Sequence, residues 1–201
     1  MNAIKAPFMV SALDHRDSIS GDDITLEPHP QMTKLMLRGE EQLLAAWIKK
    51  TLQITAPKPC KSTYKKDEAL HWLGPDTWLY IASDGEISKT ALSSFAQAGV
   101  RGQVTDVSHH YTHFEVSGPR ARDALQKLST LDLHRSVFAS GDVAGTLFAR
   151  ASVILAARED DCFDLIVRRS YADYLWCLVA NAGYEYGLPE QTPLAGEILR
   201  T

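Results

Sequence analysis

The sequence predicts an α+β fold made of two fused split β-α-β (ferredoxin-like) units, with mostly antiparallel sheets and helices on one face of each. Three observations carry this prediction. Between residues 33 and 187 the strand and helix periods run twice through the order β-α-β-β-α-β. Breakers mark the strand-to-helix junctions, above all Ser117, Gly118 and Pro119 in the middle of the chain. At 201 residues and 45% hydrophobic content, the chain can fill one large core or two small fused ones.

The first half covers about residues 33–107. A short apolar strand over 34–37 ends near Gly39, and Leu43, Leu44, Trp47, Ile48 and Leu52 then recur at helical spacing. Strands over 69–73 and 78–81 flank Gly74, Pro75 and Asp76, a turn signal. Ile87, Ala91, Leu92 and Phe95 predict a second helix that stops near Gly99, and residues 104–107 close the unit.

The second half covers about residues 108–187. Residues 112–117 are rich in β-formers. Pro119 stands at the first turn of a helix predicted over 119–128, where a missing N–H costs nothing. Residues 151–157 are small or apolar throughout, which suits a central strand, and 163–167 form its neighbour. Ser170 and Asp173 resemble an acidic capping box for a helix over 171–182. A short end strand is expected near 184–186. The ends differ from this domain. Residues 1–32 hold three prolines, two histidines and no sustained period, so they read either as a free tail or as an arm that orders on a partner. Residues 188–201 read as a C-terminal tail.

Composition narrows the function classes. The net charge of −4 argues against nucleic acid as a partner. The basic run over 58–66 reads as a solvated loop or partner-facing surface. No apolar run is long enough for a membrane helix, and the start of the chain lacks the layout of a secretory signal. Cys60, Cys162 and Cys177 are scattered and odd in number, which fits a reducing cytoplasm. Cys177 falls on a helix face as an apolar filler.

No residue set adds up to a catalytic apparatus, and no metal site is expected. His109, His110 and His113 are dense, but strand alternation would put His109 and His113 on one face and His110 on the other. Asp106 and Asp132 lie at element ends, where an acid more often satisfies backbone N–H groups than acts as a base. Arg168 and Arg169 precede a helix start and could hold an anion or a subunit, or pair with Asp173. Dinucleotide, phosphate-loop and nucleophile-elbow motifs are absent. Tyr171, Tyr174, Trp176, Tyr184 and Tyr186 give the C-terminal region a high aromatic density. Trp176, Tyr184 and Tyr186 are the candidate interface aromatics, with Trp176 or Tyr184 expected to be exposed before Tyr174.

Residues 70–79, 106–125, 131–134 and 165–187, taken in this order, resemble the gamma subunits of heterotetrameric sarcosine oxidases. The resemblance implies a fold similar to the folate-binding first domain of the glycine-cleavage T-protein, an aminomethyltransferase. It also implies a complex that oxidatively demethylates sarcosine to glycine, passes the one-carbon unit to tetrahydrofolate and makes hydrogen peroxide. The implied partners are alpha, beta and delta subunits, alpha being the main contact. FAD, FMN, NAD and tetrahydrofolate would sit in those partners, and none on this chain alone. Asp132 matches the position of the T-protein's catalytic acid, but Leu131 replaces the small polar residue before it. Residues 151–155 lack the glycine pair and acids that shape the folate site there. The expected role is therefore structural, with no catalytic residue on this chain. A stand-alone folate-binding protein or one-carbon transferase is the alternative, and an assembly module unrelated to one-carbon chemistry is a third reading.

Overall fold

The structure, a computed structural model, describes residues 10–159 and 161–194. The chain runs through β1 (Ile19–Ser20), β2 (Thr25–Pro28), β3 (Thr33–Gly39), α1 (Glu41–Thr51), β4 (Ser62–Lys65), β5 (Glu68–Gly74), β6 (Thr77–Ala82), α2 (Ile87–Gln97) and β7 (Gly102–Asp106). It continues through β8 (Tyr111–Ser117), α3 (Ala121–Gln126), β9 (Val143–Phe148), β10 (Ala151–Glu159), β11 (Cys162–Arg168) and α4 (Ala172–Ala182).

Two antiparallel sheets result, one ordered β4-β5-β6-β3-β7 and the other β1-β2-β8-β11-β10-β9. The period of two along each strand builds the layers. Leu35, Leu37, Trp78 and Tyr80 turn toward α1 and α2 and pack with Leu44, Trp47 and Ile48. In the other sheet Phe114, Val116, Phe163, Leu165 and Val167 turn toward α3 and α4 and pack with Leu125, Leu175, Trp176 and Val179. The alternate residues of both sheets face each other. Leu79, Ile81 and Ile166 meet there, with Met32, Met36, Tyr111 and Ile154 around them. The order is helices, sheet, sheet, helices, so each sheet has helices on one face only, as the sequence predicts.

The first sheet keeps the order of a complete split β-α-β unit: β3 lies between β6 and β7, with β5 beyond β6. The second does not complete itself from its own half. The strand expected at 184–186 is a 3-10 turn, Tyr184–Tyr186. Its place beside β8 is taken by β2, in the register Thr25↔Ser117, Leu26↔Val116 and Glu27↔Glu115. Residues 10–32 are therefore neither a tail nor an arm awaiting a partner. Leu13, Ile24 and Leu26 are buried in the core. Burying the Leu26 side chain alone contributes about 1.5–3 kcal/mol, which the unpatterned sequence around it conceals. Residues 1–9 lie outside the described residues.

The 3-10 turn and the N-terminal segment are locked together at glycines. A Cβ on Gly21 would stand 2.3 Å from the Tyr186 carbonyl oxygen and 2.7 Å from the Gly187 carbonyl carbon. The Asp22 N–H donates to that same Tyr186 oxygen at 3.1 Å. Gly187 itself sits at φ +88°, which a side chain would strain.

Several local expectations need correction. The basic run over 58–66 contains β4, paired to β5, rather than loop alone. Strand β9 has no counterpart in the sequence pattern; it pairs with β10 along its whole length. Helix α3 starts at Ala121, two residues after Pro119. Helix α4 has no side-chain cap: Tyr171, not Ser170, stands at its N-cap position, and the Asp173 carboxylate binds Arg16 at 2.7 Å. The expected tail folds back on α4 in its described part: Leu188 is buried, and the Gln191 N–H donates to Asn181 Oδ1 at 2.9 Å. Residues 195–201 lie outside the described residues.

Candidate functional site

Two polar constellations stand out, one open and one buried. The open one is a groove of 790 Å3 near the N-terminus of α4, lined by Arg168, Arg169, His109, His110, His15 and Asp173 among others. β11 ends at Arg168, and the Arg169 N–H donates to the His110 carbonyl at 2.8 Å, which ties the turn after Val107 to the start of α4. Both arginines are exposed. Arg169 donates from its guanidinium to the Val10 carbonyl at 2.7 Å. Neither takes Asp173 as its partner. That carboxylate binds Arg16 at 2.7 Å and His15 at 2.9 Å and accepts the Leu194 N–H at 2.7 Å. Burial raises the Asp173 pKa, but the Leu194 N–H and the Arg16 and His15 contacts outweigh it and hold the carboxyl below its ordinary value. The groove thus keeps Arg168 and the imidazoles facing solvent, a surface suited to an anionic or acidic contact.

The buried constellation lies between the two sheets. His113 on β8 faces inward, and its Nε2 lies 3.1 Å from Asp164 Oδ1 on β11. Arg158 on β10 approaches the same oxygen at 3.4 Å and Glu115 at 3.2 Å. From the opposite sheet, Tyr64 Oη donates to Asp164 Oδ2 at 3.3 Å. His29, just past β2, stacks on His113 with ring centroids 4.2 Å apart. His71 on β5 is fully buried, with Nδ1 2.8 Å from Ser62 Oγ. A cavity of 280 Å3, lined by His29, His113, Tyr64, Arg158, Lys66 and Glu68 among others, reaches this cluster.

The environment sorts the charges. Burial disfavours charge on Asp164, but the His113 hydrogen bond and the charges of His113 and Arg158 win and hold its pKa below the usual carboxylate range. Burial, with His113 nearby, lowers His29 to about 3. Burial lowers His71 to about 4. Lys34 on β3 is 1% exposed; burial lowers its pKa to about 8 against the opposing pull of Asp106. Tyr64 is pushed up, by burial first and by Asp164 second.

The residues singled out in the sequence do not converge. Arg168 and Arg169 lie at the start of α4, whereas Tyr184 and Tyr186 lie beyond its end, about 16 Å away along an 11-residue helix. Tyr184 is 65% exposed and Tyr186 half-buried under Arg120 and Lys127, whose charges lie 5.7 and 4.5 Å from its ring centre. Trp176 requires correction. It is fully buried against Phe114, with ring centroids 5.5 Å apart, so it offers no surface to a partner. Asp132 sits on an exposed loop and its Oδ1 accepts the His134 N–H at 2.8 Å, an Asx-type turn. Residues 151–155 are a strand of the second sheet, paired on both sides. Asp106 accepts from the hydroxyls of Ser88 and Ser108 and from the Ser108 N–H, which together outweigh burial and lower its pKa. The expected histidine alternation also fails, because residues 108–110 form a turn and the strand begins at Tyr111. His109 and His110 face the open groove together, while His113 enters the layer between the sheets.

His29, Tyr64, His71, Arg158 and Asp164 escaped the sequence reading as site residues. A signal existed for two of them. Asp164 interrupts the apolar run of β11, and His71 that of β5. A polar group in a buried strand must find a partner across the layer.

The sequence pattern of the "Sarcosine oxidase, gamma subunit family" matches residues 39–185. The sarcosine oxidase gamma subunit of Arthrobacter sp. is 31% identical over 121 residues, 60% of this chain and 59% of that one. The chain therefore spans 59% of the length of that curated relative. In the solved heterotetrameric sarcosine oxidase from Corynebacterium sp. U-96, in complex with pyrrole 2-carboxylate, one chain superposes with a TM-score of 0.79 at 23% identity, over 90% of this chain and 98% of that one. The glycine cleavage system aminomethyltransferase T from Bartonella henselae superposes with a TM-score of 0.57 at 13% identity, over 79% of this chain and 46% of that one. At these identities the superpositions establish a shared fold, the arrangement of two packed sheets. With the family pattern covering most of the chain, from the end of β3 to the turn after α4, this protein belongs to the sarcosine oxidase gamma subunit family.

Proposed function

We propose that this chain is the gamma subunit of a heterotetrameric sarcosine oxidase and that its role there is assembly rather than catalysis. The family match over residues 39–185 carries the reading. In such a complex sarcosine is oxidatively demethylated to glycine, its one-carbon unit passes to tetrahydrofolate, and oxygen is reduced to hydrogen peroxide. Side chains alone do not oxidise an amine with oxygen; a flavin does. The FAD, FMN, NAD and tetrahydrofolate of the reaction belong, in this reading, to the alpha, beta and delta subunits. The alpha subunit is the main contact. Three free cysteines suit the reducing cytoplasm in which such an enzyme works. Among the described residues, no helix is long and apolar enough to cross a membrane.

Two surfaces support docking. The groove at Arg168 and Arg169 offers solvent-facing cationic groups over a concave surface. Tyr184, beyond α4, offers an exposed aromatic next to the cation-flanked ring of Tyr186. The test is co-expression of the four subunits with a tag on this one. Recovery of a flavin-containing complex that turns over sarcosine is expected, and the purified chain alone should turn over neither sarcosine nor a folate adduct. A chain that purifies without flavoprotein partners, or that turns over sarcosine alone, would overturn the reading.

A further inference from the structure

We propose that His29, His113 and Asp164 form a site for a borderline divalent cation of the Zn2+ type, built into the layer between the two sheets. The strand register creates it. Pro28 pairs with Phe114, so His29 is the next position along β2 and stands directly across from His113, and its N–H donates to the His113 carbonyl at 3.2 Å. Directly opposed side chains on an antiparallel ladder begin about 4.5–5.5 Å apart at Cβ, close enough for two imidazoles to share one ion. Ile166 pairs with His113, and Asp164, two residues before it, occupies the diagonal place on the same face. One ligand atom from each of the three residues lies within 4.8 Å of the others. His113 Nε2 and Asp164 Oδ1, at 3.1 Å, already stand at the separation of two neighbouring ligands around a metal with bonds of about 2.0–2.2 Å.

One orphaned atom points the same way. His29 Nε2 is buried and has no hydrogen-bond partner among the described residues. A buried polar atom without a partner calls for an explanation. Two imidazoles and a carboxylate make a donor set that suits zinc better than calcium or magnesium. The adjoining 280 Å3 cavity, lined by Met32 and Glu68 among others, leaves space for a water as the fourth ligand. Arg158 is the opposing element, because its guanidinium shares Asp164 Oδ1; on metal binding it retains Glu115. Its charge lowers affinity without closing the site.

The experiment uses the full chain, stripped of metal and titrated with Co2+ and then Zn2+. One equivalent of Co2+ should develop visible ligand-field bands that Zn2+ abolishes. His29→Gln, which removes a ring nitrogen with no hydrogen-bond partner among the described residues, should fold normally by circular dichroism and weaken Co2+ binding by roughly 100-fold. Asp164→Asn should do the same where it folds. His109→Gln with His110→Gln, on the exposed groove, should leave binding unchanged. Absence of the bands in the native chain would overturn the proposal. So would bands that survive His29→Gln or disappear with the groove variant.

Discussion

Tyr64, on the edge strand of one sheet, donates its hydroxyl to Asp164 on a central strand of the other at 3.3 Å. Arg158 lies 5.7 Å from the centre of the Tyr64 ring and contacts the same carboxylate. The two sheets are thus joined by a polar bond as well as by the apolar contact of Leu79, Ile81 and Ile166. Tyr64→Phe should cost about 1.5–3 kcal/mol of stability in urea denaturation, because it removes one donor to an ionised carboxylate. Asp164→Ala should cost about 3–5 kcal/mol, because it removes the buried carboxylate that His113, Arg158 and Tyr64 all contact. Equal effects of the two substitutions would contradict this picture of the cluster.

Lys34 makes stability depend on alkaline pH. It is packed against Met32, whose carbonyl it donates to at 3.3 Å, with Asp106 the acid and His29 a further group within electrostatic reach. Its pKa is about 8 in the folded chain, against 10.5 for a solvated lysine. Between these values the unfolded chain holds the proton and the folded one does not, so stability rises with pH there. The slope should reach up to about 1.4 kcal/mol per pH unit. Lys34→Met should flatten the curve between these limits and raise stability at neutral pH, as read from urea midpoints. A curve for the native chain that falls throughout this range would contradict the burial of an amine.

Gly21→Ala tests how the N-terminal strand is held. The new methyl would press on the Tyr186 carbonyl and the Gly187 backbone rather than on flexible side chains. A loss of about 1–3 kcal/mol is expected. Amide exchange should rise first in β2 and in the partner positions Glu115–Ser117 of β8. Uniform destabilisation, with no preference for these strands, would argue that β2 unfolds only with the whole domain.

The aromatic residues after β11 separate core from surface. Trp176→Ala should cost about 3–5 kcal/mol, since the ring fills the space between α4 and Phe114. Tyr184→Ala should change the stability of the chain by no more than about 0.5 kcal/mol. If Tyr184 meets a partner, the same substitution should weaken subunit retention on a tagged complex by about tenfold or more, the usual cost of truncating an interface aromatic. Native retention would exclude that surface.

Arg168→Glu with Arg169→Glu reverses the charge of the open groove with, among the described residues, only one intramolecular side-chain hydrogen bond at stake, from Arg169 to Val10. Thermal unfolding should shift by a few degrees at most. Assembly measured by size-exclusion chromatography should weaken, and more strongly at low salt than at high salt. Unaltered assembly at both salt concentrations would exclude the groove as a subunit contact.

Periodicity alone determined that this chain is α+β, with helices on one face of each sheet and antiparallel strands between. Leu44, Trp47 and Ile48 on one helix, and Leu175 and Val179 on another, declare their buried faces through spacing that no tertiary contact is needed to read. The motifs over 106–125 and 165–187 likewise carried the family resemblance. Tertiary structure decided the rest. Strand β2 is four residues long and ends in proline, too short to show a period, and only the open edge of β8 makes it a strand. Trp176 reads equally as anchor or core until Phe114 is set against it. His29 and Asp164 are 135 positions apart and become neighbours only through the register of β2, β8 and β11, because hydrogen bonding between strands fixes which side chains face each other and nothing local in the sequence encodes that alignment.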